Sequence, residues 1–278
     1  MDAVAKIYDC YERYAGEKFV YGRSVSGKPL VGFFVGRKQY PVLLVQYAVH
    51  AREWITALLA LEHLVRGVPH GGAYILPLTN PDGAALCLRG EEFLKKIPPG
   101  QAEFLRRLNG GSGDFSLWKA NARGVDLNVN FDAKWGSGAA NVFAPAPENY
   151  VGPAPFSEPE TRALRDFTQK VAPDATLSFH TKGGEIYWEF GQKGAALVRD
   201  RRMAAALAKR AGYTAKQIAG SAGGYKDWCI KKFGVPSFTV EAGSDSLAHP
   251  LGEECLPDLV RECGGLVGTL SEIMDHGR

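Results

Sequence analysis

The sequence predicts an α/β fold: one domain built on a mostly parallel sheet with helices on both of its faces. Three observations carry this. Short apolar runs recur at 41–49, 73–78, 175–179 and 237–240, with the near-continuous hydrophobicity of strands buried on both sides. Helical patterns separate them, and strands alternating with helices make parallel crossover units. The 278 residues, 45% hydrophobic and 23% charged, can bury a sizeable core and are unlike a disordered chain.

Residues 2–15 carry helical spacing. Tyr21-Gly22-Arg23-Ser24 and Ser26-Gly27-Lys28-Pro29 read as turns around short strands. The run 41–49 is the first strong strand. Residues 53–65 follow at once, rich in Ala and Leu, and read as a helix. The strand 73–78 ends in the turn Asn80-Pro81-Asp82-Gly83. The stretch 109–156 breaks the pattern with Gly110-Gly111-Ser112-Gly113, Gly136-Ser137-Gly138 and four prolines between 145 and 155. Such a long Gly/Pro-rich segment inside a domain is a functional loop rather than a linker. Helical patterns at 158–171, 194–211 and 255–274 complete the alternation with strands 175–179 and 237–240. No repeat divides the chain, so residues 1–278 are read as one domain.

Lys plus Arg is 33 and Asp plus Glu is 30, and a net charge of +3 is too small for a nucleic-acid binder. The five cysteines are odd in number and lack CxxC spacing, which points to thiols in a reducing compartment. No run of 18 apolar residues exists, and the first residues lack the basic-then-apolar pattern of a signal peptide. The expectation is a cytoplasmic protein that does not span a membrane.

The chemistry concentrates at predicted strand ends. His50 closes the first strong strand and Glu53 opens the next helix. Three-residue spacing at such a junction lets an imidazole and a carboxylate converge, and two His plus a Glu form a known catalytic zinc set with one position left open. His180 offers the third ligand, again at the end of a buried strand, where ligands collect in open α/β sheets. The plainer alternatives are a surface His beside a helix-opening Glu, and a satisfied core histidine. Hydrolysis also needs a general base for the attacking water. Glu241 ends the run 237–240 and is the candidate. Asp126, read as lying in a short apolar strand, is the acceptor that would fix a ligating imidazole.

This pattern resembles the zinc carboxypeptidase family. The matching pieces, in the family's order, are His50-Ala51-Arg52-Glu53-Trp54-Ile55-Thr56, Asn80-Pro81-Asp82-Gly83, the segment 121–128, Phe156-Ser157-Glu158-Pro159-Glu160-Thr161, Ser178-Phe179-His180 and Thr239-Val240-Glu241. Together they cover about residues 20–275. The resemblance implies a single α/β domain with a central twisted, mixed eight-stranded sheet and helices on both faces. It implies one Zn(2+) per chain held by His50, Glu53 and His180, Glu241 as general base, Asp126 accepting from His50, and substrate contacts from Arg52 and Asn128.

Three departures bear on the substrate. Where the family carries an Arg that clamps the terminal carboxylate, Val129 follows Asn128, and valine cannot form charge-assisted bonds. The position of the family's mobile Tyr falls on Ala219, although Tyr225 is close in sequence. Lys119 replaces the Arg that polarises the scissile carbonyl, with Arg123 in reserve. Lys226 falls on the floor of the specificity pocket and Lys182 lies two residues after His180. Both suggest a substrate with a carboxylate away from the scissile bond; the plainer alternative for each is a solvated surface charge. The combination is similar to the bacterial branch that cleaves γ-D-glutamyl–diamino acid bonds in cell-wall peptides. The implied partner is a small murein-derived peptide. Competing readings are a zinc deacylase acting on N-acyl amino acids, a carboxypeptidase preferring acidic C-terminal residues, and a non-catalytic peptide binder.

Overall fold

The computed structural model describes residues 1–276. In chain order the strands are β1 Lys18–Arg23, β2 Pro29–Gly36, β3 Val42–Tyr47, β4 Gly72–Leu76, β5 Ala175–His180, β6 Glu185–Tyr187, β7 Thr214–Lys216 and β8 Ser237–Glu241. They form one eight-stranded sheet in the order β1-β2-β4-β3-β5-β8-β6-β7. The four apolar runs make its centre, where β4, β3, β5 and β8 are parallel neighbours. Outside them the direction reverses. β2 runs antiparallel to β4 and to β1, and β6 runs antiparallel to β8 while pairing parallel with β7. The sheet is therefore mixed, as the family resemblance implies; β2 is itself apolar and buried from Leu30 to Val35, so an apolar run marks a buried strand without fixing its direction.

The helices are α1 Ala3–Arg13, α2 Ile55–Arg66, α3 Pro81–Arg89, α4 Glu91–Leu94, α5 Pro99–Leu108, α6 Pro159–Val171, α7 Gly194–Ala211, α8 Tyr225–Phe233, α9 Leu256–Cys263 and α10 Leu266–Asp275. Side chains alternate across β3: Leu43, Val45 and Tyr47 enter the larger core with α1, α2, α7, α9 and α10, while Leu44 enters the smaller core with α6 and α8. Helices thus cover both faces. No helix among the described residues is long and apolar enough to cross a membrane. All five cysteines are free thiols, three of them buried.

Several expected boundaries move. The segment 21–23 is strand rather than turn, and the reversal falls at 24–28. Glu53 lies in a 3-10 turn, Ala51–Glu53, that precedes α2 instead of opening it. The expected helix 255–274 is two helices. Gly264 and Gly265 divide them where α10 starts against α7, since a Cβ on Gly265 would lie 2.6 Å from Nη2 of Arg210. Asp126 is not in a strand: it caps a 3-10 turn, Leu127–Val129, with Oδ1 accepting from the Asn128 N–H at 3.0 Å. β6 and β7 have three residues each and carry too little periodicity to be read from sequence.

Candidate active site

Parallel pairing places chemistry at one edge. In the β5–β8 register His180 lies directly beside Glu241, both at the last position of their strands. β3 ends one strand over, and His50 follows it by three residues. The turn that carries His50 is tied down from within. The Ala48 N–H donates to Oγ1 of Thr56 at 2.9 Å, and that hydroxyl donates to the Glu53 carbonyl at 2.8 Å. Asn80 braces it from outside: its amide donates to the carbonyls of Val49 and Ala120, while its Oδ1 caps α3 at the Gly83 N–H. The Asn80-Pro81-Asp82-Gly83 turn is thus a bracket for the site.

His50, Glu53 and His180, all buried, bring their donor atoms together. Glu53 straddles the two imidazoles, with Oε1 2.9 Å from Nδ1 of His50 and Oε2 3.0 Å from Nδ1 of His180. The two Nδ1 atoms are 3.2 Å apart. A tetrahedral zinc ion about 2.05 Å from each ligand separates its ligands by about 3.3 Å, so these spacings fit such a cage with little adjustment. The other nitrogen of His50, Nε2, lies 3.2 Å from Oδ1 of Asp126. With the proton on Nε2, the Nδ1 lone pair faces the cage. Asp126 is held in turn by Nζ of Lys119 at 2.8 Å and the Asn149 N–H at 3.2 Å.

The charges also fit a dication. Glu53, Asp126 and Glu241 lie near one partly buried ammonium, Lys119. Burial alone would raise the carboxyls of Glu53 and Asp126. The imidazoles beside Glu53, and Lys119 and His50 beside Asp126, outweigh it and hold both below the usual carboxylate range. Glu241 shows the opposite balance. It keeps some solvent contact through the cleft, yet burial, aided by the nearby Glu53 charge against the opposing pull of His180, pushes its carboxyl up to about 7.

A cleft of about 380 Å³ opens over this group and is lined by His50, His180, Glu241, Lys119, Asn128 and Lys226, among others. Of the remaining sequence candidates, Arg52 lies beside the Leu117 carbonyl and Glu148, and Lys182 is paired with Asp245; neither lines the cleft. Arg123 turns to Glu158 at 3.7 Å and is half-exposed, so the structure does not bring it to the scissile position. Val129 and Ala219 do line the cleft, where the family's clamp Arg and mobile Tyr are expected. Tyr225 cannot substitute, being fully buried with its hydroxyl 2.9 Å from Oγ1 of Thr168.

Lys226 is not a free cation. Its ammonium pairs with Asp227 and donates to the Glu189 carbonyl at 2.9 Å. The wall opposite the cage is built by 138–141 and 218–224. The second loop packs tightly on Val129, where a Cβ on Gly223 (φ +80°) would lie 2.6 Å from the Val129 carbonyl oxygen. Tyr187, Asn149 and Asp227 also line the cleft and were not singled out by sequence. Tyr187 sits on the three-residue β6.

A model of the zinc carboxypeptidase family matches residues 12–254. The chain belongs to the zinc carboxypeptidase family. Its family metal is zinc, the cation that the cage of His50, Glu53 and His180 fits. The chain is similar to gamma-D-glutamyl-L-diamino acid endopeptidase 1 of Lysinibacillus sphaericus, at 34% identity over 91% of this chain and 66% of that protein. It is 27% identical to mouse carboxypeptidase A6 over 78% of this chain and 53% of that one. The chain therefore spans less than two thirds of the length of these curated relatives. Among solved structures, bovine thrombin-activatable fibrinolysis inhibitor shares the fold with a TM-score of 0.78 at 20% identity, covering 99% of this chain and 95% of that one. Murein-tripeptide amidase MpaA of Escherichia coli O157 does so with 0.58 at 22% identity, covering 94% and 92%.

Proposed function

We propose that this chain is a zinc-dependent peptidase that hydrolyses γ-D-glutamyl–diamino acid bonds in small murein-derived peptides, with zinc held by His50, Glu53 and His180. Bound there, zinc lowers the pKa of water and polarises a carbonyl. Glu241, beside His180 and pushed up to about 7, takes the proton of the attacking water and delivers it to the leaving amine nitrogen. Lys119 reaches the same cleft and stabilises charge on the carbonyl oxygen, while its bond to Asp126 also holds His50 in place. Asn128 lines the cleft on the substrate side.

The observation that carries the substrate assignment is the Lys226–Asp227 pair in the cleft wall. A lone Lys there would suit an acidic side chain. Lys226 spends two of its three N–H donors on Asp227 and the Glu189 carbonyl, leaving one for a carboxylate. Asp227 retains acceptor capacity for an ammonium. A side chain ending in both groups, as in a diamino acid with a distal carboxylate, matches this pair. The valine at 129 supports the same reading, since no guanidinium waits for an ordinary C-terminal carboxylate. The name of the Lysinibacillus relative agrees with it. The five free thiols fit a reducing, cytoplasmic location.

The test is mass spectrometry of products from a γ-D-glutamyl-diaminopimelate tripeptide, beside a standard carboxypeptidase substrate and an N-acyl amino acid. Cleavage of the tripeptide at the γ-D-glutamyl bond, with little action on the others, is expected. Preferential release of acidic C-terminal residues would favour a carboxypeptidase, and preferential deacylation an amidohydrolase.

A further inference from the structure

We propose a second metal site, for a divalent late first-row cation such as zinc or nickel, formed by His70, Asp275 and His276. Their potential ligand atoms lie within 4.8 Å of one another, within reach of an ion about 2.1 Å from each after small side-chain rotations. Two imidazoles and a carboxylate are the nitrogen and oxygen donors such ions take. The site lies at the amino ends of β3 and β4, whereas the cleft lies at the carboxyl ends of the parallel strands. His70 sits two residues before β4, and Tyr40, just before β3, donates to the Met274 carbonyl at 3.1 Å.

One face of α10 organises the site. Gly268, Ser271 and Asp275 are spaced by three and four residues and so share that face. At Gly268 a Cβ would lie 3.5 Å from Cδ of Pro69, so the segment before β4 comes down onto the helix there. Buried Ser271 then grips His70 by its backbone: its Oγ accepts from the His70 N–H at 3.1 Å and donates to the His70 carbonyl at 2.6 Å. One turn further on, Oδ2 of Asp275 stands 3.2 Å from Nδ1 of His70. His276 ends the helix with its ring 5.8 Å from that of His70, at 60°. Two segments far apart in sequence are thus fixed through the His70 backbone, and the His70 imidazole and the Asp275 carboxylate already face each other. His70 and Asp275 are both more than a third solvent-accessible, so water can complete the coordination sphere. A metal there would tie the last helix to the α2–β4 loop and stabilise the fold by mass action.

The site is independent of the reading given for the cleft. The experiment is calorimetric titration of the zinc-loaded protein with zinc and, separately, nickel, with thermal melting followed in parallel. One further equivalent is expected, binding more weakly than the first and raising Tm. His70→Ala and His276→Ala should each weaken it about tenfold or more, while peptidase activity and the first equivalent stay unchanged. Asp275→Asn serves as a third variant that keeps side-chain size. Absence of a further equivalent, or one whose affinity survives all three substitutions, would overturn the proposal.

Discussion

The two sides of the cleft are built differently. The catalytic side stands on the carboxyl ends of β3, β5 and β8, with His50, Glu53 and His180 buried and cross-braced by Asp126, Asn80 and Thr56. The facing side is made of the turn Leu127–Val129, the loops 138–141 and 218–224 and the start of α8, where Val129, Ala219 and Lys226 replace or alter what the family resemblance implies. In the proposed reading, reaction chemistry rests on adjacent strands whose register fixes distances, and substrate choice rests on loops, where residues exchange without disturbing the sheet. Changes on the first side should therefore abolish turnover on every substrate, and changes on the second should redirect it.

The largest effect is expected from Glu241→Gln. It would remove the proposed base while keeping the cage, so turnover should fall roughly a thousandfold or more on all substrates with zinc content unchanged. The native protein adds a pH signature. Only the ionised carboxyl can accept a proton, so kcat/KM should drop with falling pH below the Glu241 pKa. That pKa is about 7 without a cation, and a bound dication favours the carboxylate, so the limb should lie lower in the zinc-loaded enzyme. A Gln variant retaining most activity would remove Glu241 from the base role.

Lys226→Met tests the facing side. It should lower kcat/KM for a diaminopimelate peptide by about 10- to 100-fold, while leaving the same peptide with an apolar residue in its place nearly unaffected. Equal losses on both would place Lys226 outside substrate recognition. Val129→Arg should have a smaller effect, raising cleavage of ordinary C-terminal residues by about tenfold through a new carboxylate contact. An unchanged rate would mean that the adjoining loop, with Ala219, limits that activity.

The same division explains what the sequence showed. The four central strands were legible because burial on both faces leaves a dense apolar run, and the ligands were legible because they end or directly follow those runs. β6 and β7 were not, since three residues carry no usable period. Asp126 was identified as the partner of His50 but placed in a strand: a fully buried Asp flanked by Val125 and Leu127 looks like strand until its carboxylate is seen capping a turn. Lys226 lines the cleft, but its pairing with Asp227 was not legible, because nothing in sequence distinguishes an adjacent Asp that pairs with it from one that turns away. Arg123 and Lys182 were drawn in by proximity to motifs, yet their side chains turn to Glu158 and Asp245.

The central claim is that three residues from two distant parts of the chain share one zinc ion. Zinc content after extensive dialysis tests it most directly, in the wild type and in Glu53→Ala and His180→Ala. One tightly held zinc per wild-type chain and none in either variant is the predicted result. Full zinc retention in folded Glu53→Ala or His180→Ala protein would contradict it.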